Sequence, residues 1–233
     1  LLALLASRAD ELAGLVSSKI PVAHERQLGE MAYEQMKPNL KPVNDARRSA
    51  VVVLGERLTS GSRYRYEFHV VEDAFVNAFA LPGGIVVVHT GLLAATTRTE
   101  QLAGVLAHEV EHVEQRHGLE AIMKSLGLRA MWALATGDLG GTLAGEAGQQ
   151  LLELSFSRDA EMQADQAGFD RLVSRGIDPS GMAEFFDKLA KSGGPTPPQL
   201  LSTHPESVER SEAMRARIAS LGGRRFEPLA PLP

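Results

Sequence analysis

The chain has 233 residues, a formal net charge of −5, no cysteine, and a balance of 44% hydrophobic and 23% charged residues. That length suits one domain with a sizeable core. The charge offers no basic stripe for nucleic acid, and the missing thiols exclude disulfides and thiolate metal sites without choosing a compartment.

Leu1-Leu2-Ala3-Leu4-Leu5-Ala6 opens the chain. It is too short, and lacks the basic flank, to read as a signal peptide; apolar spacing through Leu12 and Leu15 predicts an amphipathic first helix instead. Residues 1–20 read as a helical extension, 21–222 as the main domain and 223–233 as a loose tail. No run reaches the roughly 18 apolar residues of a membrane span. The best stretch, Ala130 to Ala135, is bounded by Arg129 and Asp138. Any membrane anchor is therefore expected upstream of residue 1.

Pro21 suits the first turn of a helix running to about Met36. Asn44 can cap another helix to about Leu58, although Val51-Val52-Val53 is also compatible with a strand. From Arg63 to Val71, Tyr64, Tyr66, Phe68 and Val70 alternate with polar residues, predicting a half-buried strand. Ala74 to Ala80 and Ile85 to His89 read as two more strands around a Leu81-Pro82-Gly83-Gly84 turn. His69 and His89 lack ligand spacing and read as strand residues.

Thr97 and Glu100 have capping-box spacing, so a helix is expected to begin there. Leu102, Val105, Leu106, Val110 and Val113 continue its rhythm, and Gly118 can end it. Within it stands His108-Glu109-Val110-Glu111-His112. Residues four apart share a helix face, so the two histidines can grip one Zn²⁺ while Glu109 stands where hydrolysis needs a general base. The bland alternative is a surface helix with two solvated histidines. A metzincin pattern is excluded, since Gln115 stands at its glycine position and Gly118 at its third histidine. His117 is expected to close the helix, where a partly positive imidazole suits the C-terminal dipole.

A catalytic zinc needs a third protein ligand and an open fourth position. Residues from about Glu146 to Arg175 read as a long helix stopped by Gly176. In it, Glu161 and Asp165 share a face. Glu161 is the candidate third ligand, and Asp165 can accept the free ring N–H of a ligating histidine. Ala160 and Ala164 would let this helix approach the metal helix closely. Before this helix a weakly patterned segment at 136–148 reads as a linker or lid; beyond it lie a helix from about Gly181 to Lys191, a Gly/Pro linker from Ser192 to Pro198, and a last helix from about Glu206 to Leu221.

Together these motifs resemble the HtpX and CAAX-prenyl-protease family of zinc metallopeptidases, within the gluzincins. The resemblance rests on Asn77-Ala78-Phe79-Ala80-Leu81-Pro82-Gly83-Gly84, on His89-Thr90-Gly91-Leu92-Leu93, and on the run from Leu102 through the metal motif to Arg116-His117. It continues in Arg158, Glu161, Ala164 and Asp165, and in Thr203-His204-Pro205 with Arg210. It spans roughly residues 25 to 220. It implies an α+β, mostly helical zincin-like domain whose small mixed or antiparallel sheet has an edge strand beside the active-site helix. It implies one Zn²⁺ per chain on His108, His112 and Glu161, Glu109 as base, and endopeptidase activity. Lacking transmembrane helices, the chain looks more like the soluble or lipid-anchored bacterial envelope members, which handle misfolded or misassembled proteins, so a periplasmic or envelope location is expected. Prenyl-protein processing belongs to the multi-spanning branch.

His204 and Arg210 are then candidate donors to the developing oxyanion. A neutral His204 can alternatively fill the fourth zinc position and hold the enzyme latent, while Arg210 can alternatively pair with Glu206 on a solvated face. Polypeptide substrate is expected to add a strand along Asn77, Ala78 and Phe79. Against the peptidase stands a chaperone-like binding module with a sealed zinc site. Glu109 argues against that module, because a purely structural site has no use for a base. A zinc hydrolase acting on a non-peptide has no positive support in the sequence. Oligomeric state is not legible.

Overall fold

The computed structural model describes residues 14–139, 146, 150, 155–191, 199–205 and 208–233. The expected first helix therefore lies mostly outside the described residues, as do most of the 136–148 segment and the 192–198 linker. Helices α1 (Val22–Met36) and α2 (Ala46–Thr59) precede the strands β1 (Glu67–Val71), β2 (Ala78–Leu81) and β3 (Ile85–His89). Then come α3 (Thr90–Ala95), α4 (Thr99–Glu114), α5 (His117–Leu126), α6 (Leu128–Thr136), α7 (Arg158–Ser174), α8 (Ser180–Lys191), α9 (Gln199–Thr203) and α10 (Val208–Ser220). The fold is a mostly helical α+β domain with a small mixed sheet. None of the described helices is long and apolar enough to cross a membrane.

The sheet runs β1-β3-β2, with β1 parallel and β2 antiparallel to β3. All five residues of β3 are buried, as expected of a central strand covered on both faces. That leaves β2 at the edge of the sheet, with no further strand beside it among the described residues. The pairing of His89 N–H with the Asn77 carbonyl, carried along the Ala78↔Val88 register, sends the peptide groups of Ala78 and Ala80 off that edge.

Helix α4 is the centre of the molecule. Every residue from Thr99 to Val113 is buried, so it has to be packed on all sides. It touches α7, α8, α2 and β2. Its crossing with α8 is made with glycine. A Cβ on Gly104 would lie 2.5 Å from the Met182 backbone, and one on Gly181 would lie 2.4 Å from the Glu100 backbone. Its crossing with α7 is also close, with Gly168 against the Ala107 backbone and Ala164 fully buried.

Several expectations need correction. Helix α4 begins at Thr99 after an Arg98 N-cap without a side-chain bond, and Thr97 pairs with Gln101, so no capping box forms. Glu100 instead accepts the Leu229 amide at 2.8 Å, while Thr99 donates to the Ala230 carbonyl at 2.6 Å. The tail therefore lies fixed on the start of α4, with Leu229 and Leu232 packed on the core, because the buried Glu100 needs a donor. Asp45, not Asn44, caps α2, and the three valines are helical. Strand β2 starts at Ala78. The helix expected from Glu146 to Arg175 is not continuous: residues 155–157 are not helical, and α7 starts at Arg158, where the Ser157 hydroxyl accepts the Ala160 amide.

Gly104→Ala should lower stability by about 1–3 kcal/mol through overpacking against α8. Thermal denaturation beside the native chain checks it, and an unchanged midpoint would mean that α8 gives way freely.

Candidate metal centre

His108 and His112, one turn apart on α4, aim their Nε2 atoms at the same point, 3.0 Å from each other. Glu161 reaches that point from α7, with Oε2 3.4 Å from His108 Nε2 and Oε1 3.5 Å from His112 Nε2. His204, just past α9, adds Nδ1 at 3.1 Å from His108 Nε2 and 3.0 Å from Glu161 Oε1. One donor atom from each of the four falls within 4.8 Å of the others, and all four residues are buried. The sequence-predicted ligands are thus brought together, with His204 among them.

The donor chemistry fits zinc. The outer nitrogen of His108 is its Nδ1, 2.9 Å from Asp165 Oδ1. An N–H donated to that carboxylate leaves a lone pair on Nε2. Lone pairs facing one another at this range repel unless a cation lies between them, and tetrahedral Zn–N bonds would set neighbouring nitrogens about 3.3 Å apart. The cation must also satisfy the carboxylate. Burial opposes charge on Glu161, yet His108 and His204 hold its carboxyl far below the ordinary range. Burial likewise opposes charge on His108, but Asp165 and Glu161 outweigh it and push the imidazole up to about 10. His112 goes the other way, driven well below its ordinary value by burial and by His108. The pocket favours one added positive charge shared among its donors.

Glu109 stands beside this cluster. Its Oε1 is buried without a hydrogen-bond partner and lies 3.3 Å from His204 Nε2. Burial pushes its carboxyl up against the pull of His204 and His108, and the Ala80 amide on the open edge of β2 donates to it. This carboxyl faces the donor cluster on one side and the edge strand on the other.

Arg210 is placed differently from the expected oxyanion donor. Its Nε and Nη2 donate to Asp165 at 2.6 and 2.9 Å, while Nη1 lies 2.8 Å from Glu161 Oε2 and donates to the Pro205 carbonyl. The guanidinium is buried and committed to the carboxylates, so it holds them instead of facing an open cleft. Burial opposes the charge of Asp165, but His108 and Arg210 hold its carboxyl below the ordinary range. The alternative partner Glu206 lies outside the described residues.

His117 is the second correction. Helix α4 stops at Glu114, and Arg116 takes a left-handed conformation with φ 63°. That costs a non-glycine residue roughly 1–2 kcal/mol. A buried network offsets the strain: Arg116 pairs with Glu25, Nε donates to the Tyr64 hydroxyl at 3.1 Å, and Nη1 donates to the Ser17 carbonyl. The kink makes His117 the first residue of α5 and folds it back against His112. Burial keeps its imidazole below the ordinary value. Phe156, which the sequence did not single out, stacks on His112 with ring centres 3.9 Å apart.

The family model for peptidase family M48 matches residues 47–218. The chain belongs to peptidase family M48. It is 32% identical over 212 residues to the metalloprotease LoiP of Escherichia coli, covering 86% of this chain and 82% of that protein. It is 32% identical over 219 residues to the beta-barrel assembly-enhancing protease of Yersinia pestis, covering 85% of this chain but 44% of that longer relative. Against the mitochondrial metalloendopeptidase OMA1 of Arabidopsis thaliana it is 37% identical over 153 residues, which is 64% of this chain and 31% of the relative. The chain is a zinc metalloendopeptidase acting on polypeptides.

Asp165→Asn should weaken zinc binding about 10–100-fold, the usual cost of losing the partner of a ligand. Competition against a chelator measures it, and native affinity in the variant would contradict the role given to this carboxylate.

Proposed function

We propose that His108, His112 and Glu161 hold one catalytic zinc, and that Glu109 is the general base for hydrolysing peptide bonds in unfolded or misassembled envelope proteins. The observation that carries this reading is the bare, buried Oε1 of Glu109 beside a four-donor cluster. A structural zinc site gives such an oxygen no purpose. Zinc bound here would act as a Lewis acid on the scissile carbonyl and lower the pKa of water to about 7. Glu109 takes the proton of the attacking water and passes it to the leaving amine. Asp165 fixes the tautomer and ring plane of His108. Arg210 holds Glu161 and Asp165 in place as a positioning residue.

The substrate strand pairs with the open edge of β2. The Ala78 peptide groups and the Ala80 carbonyl lie on the side of β2 away from β3, and Asn77 Oδ1 is buried without a partner. Asn77, Ala78 and Phe79 thus form the proposed substrate-binding strand. Backbone pairing of this kind accepts unfolded chain with little regard for sequence, which suits quality control. A location in the bacterial periplasm or envelope is the reading that the relatives support, one of them named for beta-barrel assembly. An anchor upstream would add membrane association.

A second reading has a specific observation in its favour. His204 Nδ1 sits where a fourth ligand would, and its Nε2 faces Glu109. In that geometry one imidazole both fills the open position and covers the base. This arrangement is the resting, latent state, and His204 must swing away for turnover.

Cleavage of an unfolded protein should be lost in Glu109→Gln, by about 10²–10⁴-fold or more, with zinc content unchanged. Cleavage at the native rate by that variant would refute the assignment. Ala78→Pro, which removes an N–H on the side of β2 away from β3, should impair cleavage of long peptides while leaving zinc bound; undiminished cleavage would remove the edge-strand binding mode.

A further inference from the structure

The outer nitrogens of the two helix-borne ligands are treated unequally. His108 has a carboxylate behind it. His112 has another imidazole: its Nδ1 lies 3.0 Å from His117 Nδ1, and His117 Nε2 lies 3.3 Å from Gln163 Oε1. Neither nitrogen of His117 points into the donor cluster, so this histidine is not a ligand. The chain of contacts has one consistent assignment of protons. His112 gives its Nε2 lone pair to the metal and must carry its proton on Nδ1. That N–H needs an acceptor. The acceptor is the bare Nδ1 of His117, whose own proton then sits on Nε2 and is donated to Gln163 Oε1.

We propose that His117 is a positioning residue that orients His112 for zinc by accepting its Nδ1–H, with Gln163 fixing the acceptor tautomer. The inference rests on His112 being a zinc ligand. It explains why the chain tolerates a left-handed Arg116. On a straight helix a residue five positions on lies about 140° away around the axis and cannot reach back. The kink, anchored by Glu25, Tyr64 and Ser17, brings the His117 ring to the outer edge of His112. Phe156 holds the same ring by its face, so stacking and a hydrogen bond together set its plane.

Zinc affinity of the whole chain, measured by chelator competition, tests this. His117→Leu should bind zinc about 10–100-fold more weakly. His117→Asn, whose side-chain oxygen can stand where Nδ1 stood, should recover most of that loss. Native affinity in His117→Leu, or equal losses in both variants, would overturn the proposal, the second because packing alone would then explain it. Should His117→Leu fail to fold, nitrogen-15 spectra of the histidines in the zinc-loaded native chain decide the matter. The proposal requires His117 protonated on Nε2 alone and His112 protonated on Nδ1, and a proton on His117 Nδ1 would overturn it. A native chain that binds no zinc at all would instead refute the metal site on which the inference rests.

Discussion

The pairing of His108 with Asp165, and of Asp165 with Arg210, ties three helices together through one buried run of charge-assisted hydrogen bonds. Helix α4 supplies the imidazole, α7 the carboxylate and α10 the guanidinium. Breaking such a pair by removing one partner typically costs 3–5 kcal/mol, because the other charge stays buried and alone. The same three helices hold Glu161 against the histidines. Packing and chemistry are therefore one constraint here. The close glycine and alanine contacts that let α7 and α8 approach α4 are also what put Glu161 and Asp165 within reach.

The opposite face of α4 depends on the sheet. Because β3 is the buried central strand, β2 is left with a free edge, and that edge lies beside Glu109. The register decides which peptide groups point outward. The proposed hydrolytic site needs a base, a cation and a way to hold an extended chain across both, and this topology puts Glu109, the four-donor cluster and the edge of β2 side by side. His204 completes the picture from a separate segment. Its Nδ1 lies among the donor atoms of the cluster, which is the observation behind the proposed latent state.

The clustering of His108, His112 and Glu161 was legible in the sequence because it is written in helical spacing. His108 and His112 at i, i+4, and Glu161 with Asp165 at i, i+4, each define a face without knowledge of the fold. The sheet was legible from the alternation that ends in Phe68 and Val70, although the strand expected from Arg63 starts only at Glu67, and from the Pro82-Gly83-Gly84 turn. Arg210 was found but misassigned: spacing shows that a residue is charged, not which buried carboxylate claims it. His117 was missed for a different reason. Its contact with His112 exists only because Arg116 leaves the helical conformation, and that left-handed turn is set by Glu25, almost a hundred residues earlier in the chain. Long-range determinants of a local kink leave no periodic signal. The fixed tail was missed for a like reason, since its partner is a buried Glu100 that reads as an ordinary first-turn acid.

We propose that one zinc occupies the buried cluster and that His204 contends for its open position. X-ray absorption at the zinc edge, on the native chain and on His204→Ala, tests it most directly. One zinc per chain is expected in both, with nitrogen and oxygen neighbours at about 2.0–2.1 Å, three imidazoles in the native chain and two in the variant. Identical imidazole counts in the two proteins would contradict the role of His204, and a native shell with fewer than two imidazoles would contradict the site itself.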